Sequence, residues 1–276
     1  MIITTDVRLS PDGSRAALVV PDSLSGNRDI WLLHLATGNM TRLTSHPAND
    51  WWPTWHPDNR RLAFASDRDG RSTVYLTTFD GAHEQRLVQI PNRGAFPKDW
   101  SSDGALLSLN IDTPDGVPSI WAVAASGEGK PFPLNHSAAR ENNPVWSPDG
   151  GWIAYESAES GTTEIYVKRV ARGERIRIST AGGSQPRWPR GSREILYRAP
   201  NGDVMAVNLD GGAPDAPGRA VRLFAGCAET GFSPFGGPIP YDVTADGRRF
   251  LLPCSREAAR PEIVTVVIDW ASTISK

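Results

Sequence analysis

The stretch Pro144-Val145-Trp146-Ser147-Pro148-Asp149-Gly150-Gly151-Trp152-Ile153-Ala154-Tyr155 reads as strand, turn, strand. Pro148 presets the φ that a tight turn needs, Asp149 can bond its own backbone, and Gly150 relaxes the exit. Apolar residues with strand preference lie on both sides, ending in Trp146 before the turn and resuming at Ile153 after it. The same unit returns along the chain as Ser10-Pro11-Asp12-Gly13, His56-Pro57-Asp58-Asn59 and Ser101-Ser102-Asp103-Gly104. A degenerate copy stands at Pro189-Arg190-Gly191-Ser192 and a last one at Thr244-Ala245-Asp246-Gly247. The third positions of the six anchors, residues 12, 58, 103, 149, 191 and 246, are separated by 46, 45, 46, 42 and 55 residues.

Each copy repeats one internal order. A short strand ends at Trp55, Trp100, Trp146 or Trp188 just before the anchor, with Leu9 and Val243 in the first and last copies. An apolar strand follows, then a second turn such as Asp67-Arg68-Asp69-Gly70 or Asn201-Gly202. A third strand comes next (Asp29–Leu32, Val74–Leu76, Ser119–Ala122, Glu164–Val167, Val204–Val207) and a fourth is marked by Thr41–Thr44, Gln85–Leu87, Arg177–Ser179 and Arg222–Phe224. Four short strands in a period of roughly 40–50 residues make one propeller blade. The expectation is an all-β fold: a six-bladed β-propeller of four-stranded antiparallel blades, one domain over residues 1–276. The sixth copy has no fourth strand after Ile263–Ile268, and Ile2-Ile3-Thr4-Thr5 is a spare apolar strand ahead of the first anchor. Pairing that N-terminal strand into the last blade is expected to close the ring and remove the open edges.

Composition agrees. A chain of 276 residues buries enough surface to need no disulfide staple, and its ten Trp against three Met suit packed sheets. Cys227 and Cys254 can pair in an oxidising compartment or serve as two small core residues, and nothing else in the chain looks disulfide-dependent. A net charge of -2 without a basic run argues against nucleic acid as partner. There is no run of 18 apolar residues to span a membrane, and Met1–Asp6 lacks the pattern of a signal peptide.

The grammar of Pro-x-Trp-Ser-Pro-Asp-Gly, Asp-x-Asp-Gly, Ile-Tyr/Trp-Val and Arg-Leu-Thr resembles the TolB-type propeller repeat. The segments Trp146–Gly150, Glu164–Val167, Ser179–Trp188, Tyr241–Phe250 and the closing Ile268-Asp269-Trp270 are similar to the C-terminal propeller of bacterial Ser/Thr kinase-type receptors and related envelope proteins. In those proteins the propeller follows a kinase and is regarded as the sensing part. The resemblance implies a fold and a general role in binding rather than a defined chemistry. It points to an extracytoplasmic domain if the chain is a fragment of a receptor-like protein, and to the cytoplasm otherwise.

No nucleophile elbow, zinc helix or phosphate loop appears, and the five His (34, 46, 56, 83 and 136) have no ligand spacing. The anchor aspartates are assigned to turns, not to a metal. Two sets of candidate binding residues remain. The first lies one residue before each Trp-like position: Arg8, Thr54, Asp99, Val145, Arg187 and Asp242. Arg187, Asp242 and Arg8 would put two cations around one carboxylate, able to hold an anion or to tie blades together. The second set is the loops that lead into the inner strands: Asn49–Trp52, Arg93–Phe96, Arg140–Asn143 and Gly182–Gln185. Trp51, Trp52 and Phe96 beside Arg93 and Arg140 have the composition of an interaction hot spot, and Asn142 and Gln185 are further candidate binding residues in these loops. The insertion Gly211–Pro240 is a third place to look, as a lid. The expected function is a non-catalytic binding or sensor propeller, monomeric, with a protein, peptide or small ligand as partner and with no cofactor and no metal. The alternative is a propeller hydrolase or lyase with its site in the central channel.

Overall fold

The computed structural model describes residues 6–135, 137–209, 217–226 and 241–252. These residues fold as antiparallel sheets whose strands follow one another in chain order. The first blade is β1 (Val7–Leu9), β2 (Arg15–Pro21), β3 (Arg28–His34) and β4 (Met40–Arg42). The second is β5 (Asp50–Trp55), β6 (Arg61–Ser66), β7 (Thr73–Thr78) and β8 (Glu84–Val88). The third is β9 (Ala95–Trp100), β10 (Leu106–Asp112), β11 (Pro118–Ala124) and β12 (Phe132–Pro133). The fourth is β13 (Glu141–Trp146), β14 (Trp152–Ser157), β15 (Glu164–Arg169) and β16 (Arg175–Arg177). The fifth is β17 (Ser184–Arg187), β18 (Glu194–Arg198), β19 (Val204–Asn208) and β20 (Val221–Phe224).

This is an all-β propeller of small four-stranded antiparallel sheets, but the expected count of six blades is corrected to five. Among the described residues the sixth anchor supplies only the two-stranded pair β21 (Asp242–Val243) and β22 (Phe250–Leu251). The sequence offers no fourth strand in this copy, and the run Ile263–Ile268 that would follow its hairpin lies outside the described residues. The expected closing strand Ile2–Thr5, the run Ile263–Ile268, both cysteines and His136 lie outside the described residues. So does most of the Gly211–Pro240 insertion; its residues 217–226 are described and furnish β20. Among the described residues no helix is long and apolar enough to cross a membrane.

The chain divides into two compact units. The described part of the first is residues 6–97, 241–244 and 248–252, and that of the second is 98–226, with the gaps above, and 245–247. In the first unit Trp55, Leu62, Phe64 and Tyr75 of the second blade pack on Ala17, Ile30 and Leu32 of the first. In the second unit Trp146, Ile153 and Tyr155 pack on Ile120 and Ala122. Val145, Trp152, Ile165 and Val167 meet Ile195, Tyr197 and Val207 of the next blade. The Trp residue before the anchor is therefore an inter-sheet filler, and each fully buried aromatic of this kind contributes roughly 1.5–3 kcal/mol.

The anchors are turns closed on their own side chains. Asp12 Oδ1 accepts the Ser10 hydroxyl at 2.6 Å and the Ser14 N–H at 2.9 Å, while Ser10 Oγ accepts the Arg15 N–H at 2.9 Å. Asp103 and Asp149 repeat the arrangement with Ser101 and Ser147. Gly13, Gly104 and Gly150 have φ of 68, 71 and 70°, and Asn59 takes φ 60° in the second copy, where Gly is missing.

Candidate functional site

Three inner strands share a departure from regular pairing at the same place. The register shifts between Trp51 and Thr54 in β5, between Asn142 and Val145 in β13, and between Ser184 and Arg187 in β17. Within each shift one residue has a left-handed backbone: Trp52 at φ 50°, Asn143 at φ 50° and Gln185 at φ 53°. All three stand three residues before the anchor Trp and directly before a proline (Pro53, Pro144, Pro186). A left-handed non-glycine residue is costly by about 1–3 kcal/mol and persists only where its surroundings hold it. The third blade places Pro97 itself three residues before Trp100, and a pyrrolidine ring cannot take positive φ. No left-handed residue occurs in that strand.

What holds two of these residues is a pair of side-chain acceptors from the preceding blade. Asn110 Oδ1 in β10 accepts the Asn143 N–H at 3.1 Å, and Glu156 Oε1 in β14 accepts the Gln185 N–H at 2.6 Å. Glu156 also receives the Asn143 side-chain amide at 2.7 Å, and Asn110 donates to the Glu141 carbonyl at 3.0 Å. Asn110 and Glu156 were not visible as functional from the sequence, since their partners lie about thirty residues further along. The matching position of β6, opposite Trp51, is Ala65, and the Pro97 it would serve has no N–H to satisfy.

In the first unit the left-handed residue carries an aromatic group. The Trp51 and Trp52 rings meet edge to face with centroids 5.7 Å apart, and Phe96 meets Trp52 at 4.7 Å and 69°. All three side chains are half-buried, unlike the core rings Phe64 and Trp100. The expected loop residues Trp51, Trp52, Phe96, Asn142 and Gln185 in fact lie at the starts of inner strands; in the second unit the corresponding residues are polar, with Arg140 exposed before β13, Asn142 of β13 half-buried and Gln185 of β17 buried. Glu141, which opens β13, is 1% exposed; burial raises its carboxyl to about 7 against a hydrogen bond from Asn135. Lys168 donates to the carbonyl of Leu134 at 2.6 Å and to Asn135 Oδ1 at 3.1 Å, and its ammonium is shifted down by the same burial.

The residues one before each Trp-like position have structural partners. Asp242 accepts the Leu9 N–H at 2.7 Å and lies 4.0 Å from Arg8. Asp99 accepts the Trp146 N–H at 2.8 Å. Arg187, in the second unit, is buried and donates to the Pro186 carbonyl at 2.9 Å. Among the described residues no group of three His, Cys, Asp or Glu is placed to hold a metal ion.

Residues 3–110 match the family model described as the TolB beta propeller domain. An uncharacterized peptidase, YuxL of Bacillus subtilis, is 26% identical over 200 residues, covering 57% of this chain and 30% of that protein. The uncharacterized protein Atu1656 of Agrobacterium fabrum is 24% identical over 238 residues, covering 86% of this chain and 64% of that protein. The chain thus spans from about a third to under two thirds of these relatives. Among solved structures, TolB from Acinetobacter baumannii has a TM-score of 0.73 at 16% identity, over 90% of this chain and 59% of that one. Oligogalacturonate lyase from Vibrio parahaemolyticus has a TM-score of 0.62 at 12% identity, over 98% and 75%. At such identities the structures share the fold alone. The match over residues 3–110 and the TM-score of the Acinetobacter baumannii structure agree with the repeat grammar of the anchors and support a TolB-type β-propeller fold for this chain.

Proposed function

We propose that this chain is a non-catalytic binding or sensor propeller that recognises a protein or peptide through the first residues of its inner strands. The observation that carries the reading is the half-buried cluster of Trp51, Trp52 and Phe96, assembled around a left-handed Trp52. A strained backbone that holds large rings partly in solvent is costly for the fold and useful for a partner. Trp and neighbouring aromatics are also the residue types that dominate binding energy when a partner covers them. Arg140, Asn142 and Gln185 extend the same reading to the second unit as polar contacts.

The test is a selection of displayed peptides on the immobilised wild-type protein, followed by affinity measurements with Trp52→Ala and Phe96→Ala. Selected peptides are expected to lose at least tenfold in affinity for either variant, with a cooperative unfolding transition retained. Peptides that bind both variants as well as they bind the wild type would sink the proposal.

A further inference from the structure

Four blades carry an arginine at one register position of the outer strand. Arg42 stands opposite Trp31, Arg86 opposite Tyr75, Arg177 opposite Tyr166 and Arg222 opposite Met205. In three of them a carboxylate neutralises it: Asp29 lies 2.6 Å from Arg42, Asp69 3.7 Å from Arg86 and Asp203 2.8 Å from Arg222. Asp29 and Asp203 directly precede Ile30 and Val204 on the third strand, and the fourth blade has Glu164 there, preceding Ile165. Glu164 is as buried as Asp29 but bonds other partners. It is 2% exposed and accepts the Ser179 hydroxyl and, at 3.0 Å, the Gly182 N–H. Arg177 is left exposed and has no ion pair among the described residues.

The surroundings amplify this. Between residues 168 and 177 the hairpin of β15 and β16 holds Lys168, Arg169, Arg172, Arg175 and Arg177 against the single Glu174, a local charge of five minus one, +4. Arg169 reaches Glu174 at 3.8 Å and Arg175 reaches Glu159 at 2.6 Å, while Arg172 is exposed without an ion pair among the described residues. Val170 adds an apolar patch at 38% exposure. Among the described residues β16 pairs with β15 alone, so its outer backbone edge is open.

We propose that the outer edge of the fourth blade docks an extended acidic segment of a partner protein. The segment adds as a strand beside β16, and Arg172, Arg175 and Arg177 take its carboxylates. Arg175 and Arg177 lie on one side of β16, about 6.5–7 Å apart, which matches acidic residues at alternate positions of an extended peptide. Ile176 faces the other way, against the core. A second copy of this chain is disfavoured as the occupant, because it would set +4 against +4. An anionic lipid surface or polysaccharide could meet the charge but offers no N–H and C=O ladder for the edge. The proposal is independent of the aromatic cluster in the first unit.

The experiment uses a fluorescent ten-residue peptide of alternating Glu and Val, its Lys–Val counterpart, a heparin oligosaccharide and phosphatidylserine vesicles. The acidic peptide is expected to bind the wild-type protein and the Lys peptide not to. The double variant Arg172→Glu, Arg177→Glu is expected to weaken binding at least tenfold while keeping the wild-type melting temperature, and 0.5 M salt should weaken it similarly. Amide exchange at residues 175–177 is expected to slow when the peptide is present. The idea is overturned if the acidic peptide does not bind, if heparin or vesicles bind and it does not, or if charge reversal leaves its affinity unchanged. Unchanged amide exchange with peptide bound would overturn the strand-addition mode.

Discussion

The carboxylate of Asp242 accepts the backbone N–H of Leu9 at 2.7 Å, across 233 residues of chain. Asp99 treats Trp146 the same way at 2.8 Å, across 47 residues. In both cases the aspartate precedes the Trp-like position of its own copy, and the N–H belongs to that position in another copy. The short strand β21 therefore stands to β1 as β9 stands to β13, even though only two strands of its sheet are found among the described residues. Such a bond joins inner strands that share no ladder, and removing its acceptor leaves a donor in need of a partner. Asp99→Ala and Asp242→Ala are each expected to cost about 1–3 kcal/mol. Urea unfolding measures the loss, and the corresponding Asn variants, which keep an acceptor oxygen, are expected to lose less.

Acid should weaken the anchors. At Asp12 and Asp58 burial alone would raise the carboxyl, but hydrogen bonds outweigh it and hold both at about 2. The donors are Ser10, Ser14 and Asn59 for Asp12, and Arg60 and Arg61 for Asp58. A depressed folded-state value means that these groups stabilise the fold above their ordinary value of 3.8 and cease to do so as pH falls through about 2. Stability measured by denaturant should decline between about pH 4 and pH 2. An Asp12→Asn, Asp58→Asn variant is expected to show a shallower decline from a lower starting stability.

Glu141 should act in the opposite direction. Burial raises its carboxyl from 4.5 to about 7, so the folded state resists its ionisation. The fold then retains full benefit below pH 4.5 and loses it as pH rises through about 7. Lys168, Arg175, Glu159 and Tyr155 are the other ionisable groups acting around it. Glu141→Gln keeps the shape and removes the charge. The variant is expected to match the wild type near pH 4 and to exceed it at pH 8, by on the order of 1–3 kcal/mol. Denaturant titrations at the two pH values decide it; an equal offset at both would show that ionisation is not the cause.

The anchors made the repeat legible because a Pro-Asp-Gly turn depends on residues that are neighbours in sequence. The anchor Asp residues were assigned to turns on that ground, and the bonds to Ser10, Ser14, Ser101 and Ser147 show them there. The blade count was less legible, since the last copy has an anchor without four strands to follow it. The aromatic cluster could be named from Trp51, Trp52 and Phe96, but the left-handed turn of Trp52 could not. Its only trace is the order x-Pro-x-Trp, shared with Asn143 and Gln185. Asn110 and Glu156 gave no signal, because each serves an N–H in the next blade. The exposed state of Arg177 is also a tertiary fact: its sequence context matches that of Arg42, but Glu164 bonds Ser179 and Gly182 where Asp29 bonds Arg42.

Gly183 shows what one position of the repeat has given up. The second and fourth blades place Asp50 and Glu141 five residues before their anchor Trp, and the fifth has Gly183 in that place. A Cβ there would lie 2.7 Å from Ser179 Oγ, 2.9 Å from Ile165 Cγ1 and 3.1 Å from Tyr197 Cδ2. Ser179 and Ile165 are both buried, and the Ser179 hydroxyl holds the Ile165 N–H at 2.8 Å, so neither can retreat without breaking that bond. Gly183→Ala is thus expected to destabilise by overpacking, about 1–3 kcal/mol. Gly116 is the control, since a Cβ there meets nothing within 4 Å and only its φ of 77° is strained. Gly116→Ala is expected to cost about 1 kcal/mol, from the left-handed backbone alone. Thermal unfolding of the two variants separates the mechanisms. Adding Ser179→Ala should recover part of the loss in Gly183→Ala and none in Gly116→Ala. Recovery of neither would mean that Ile165 and Tyr197, not the hydroxyl, set the limit at Gly183.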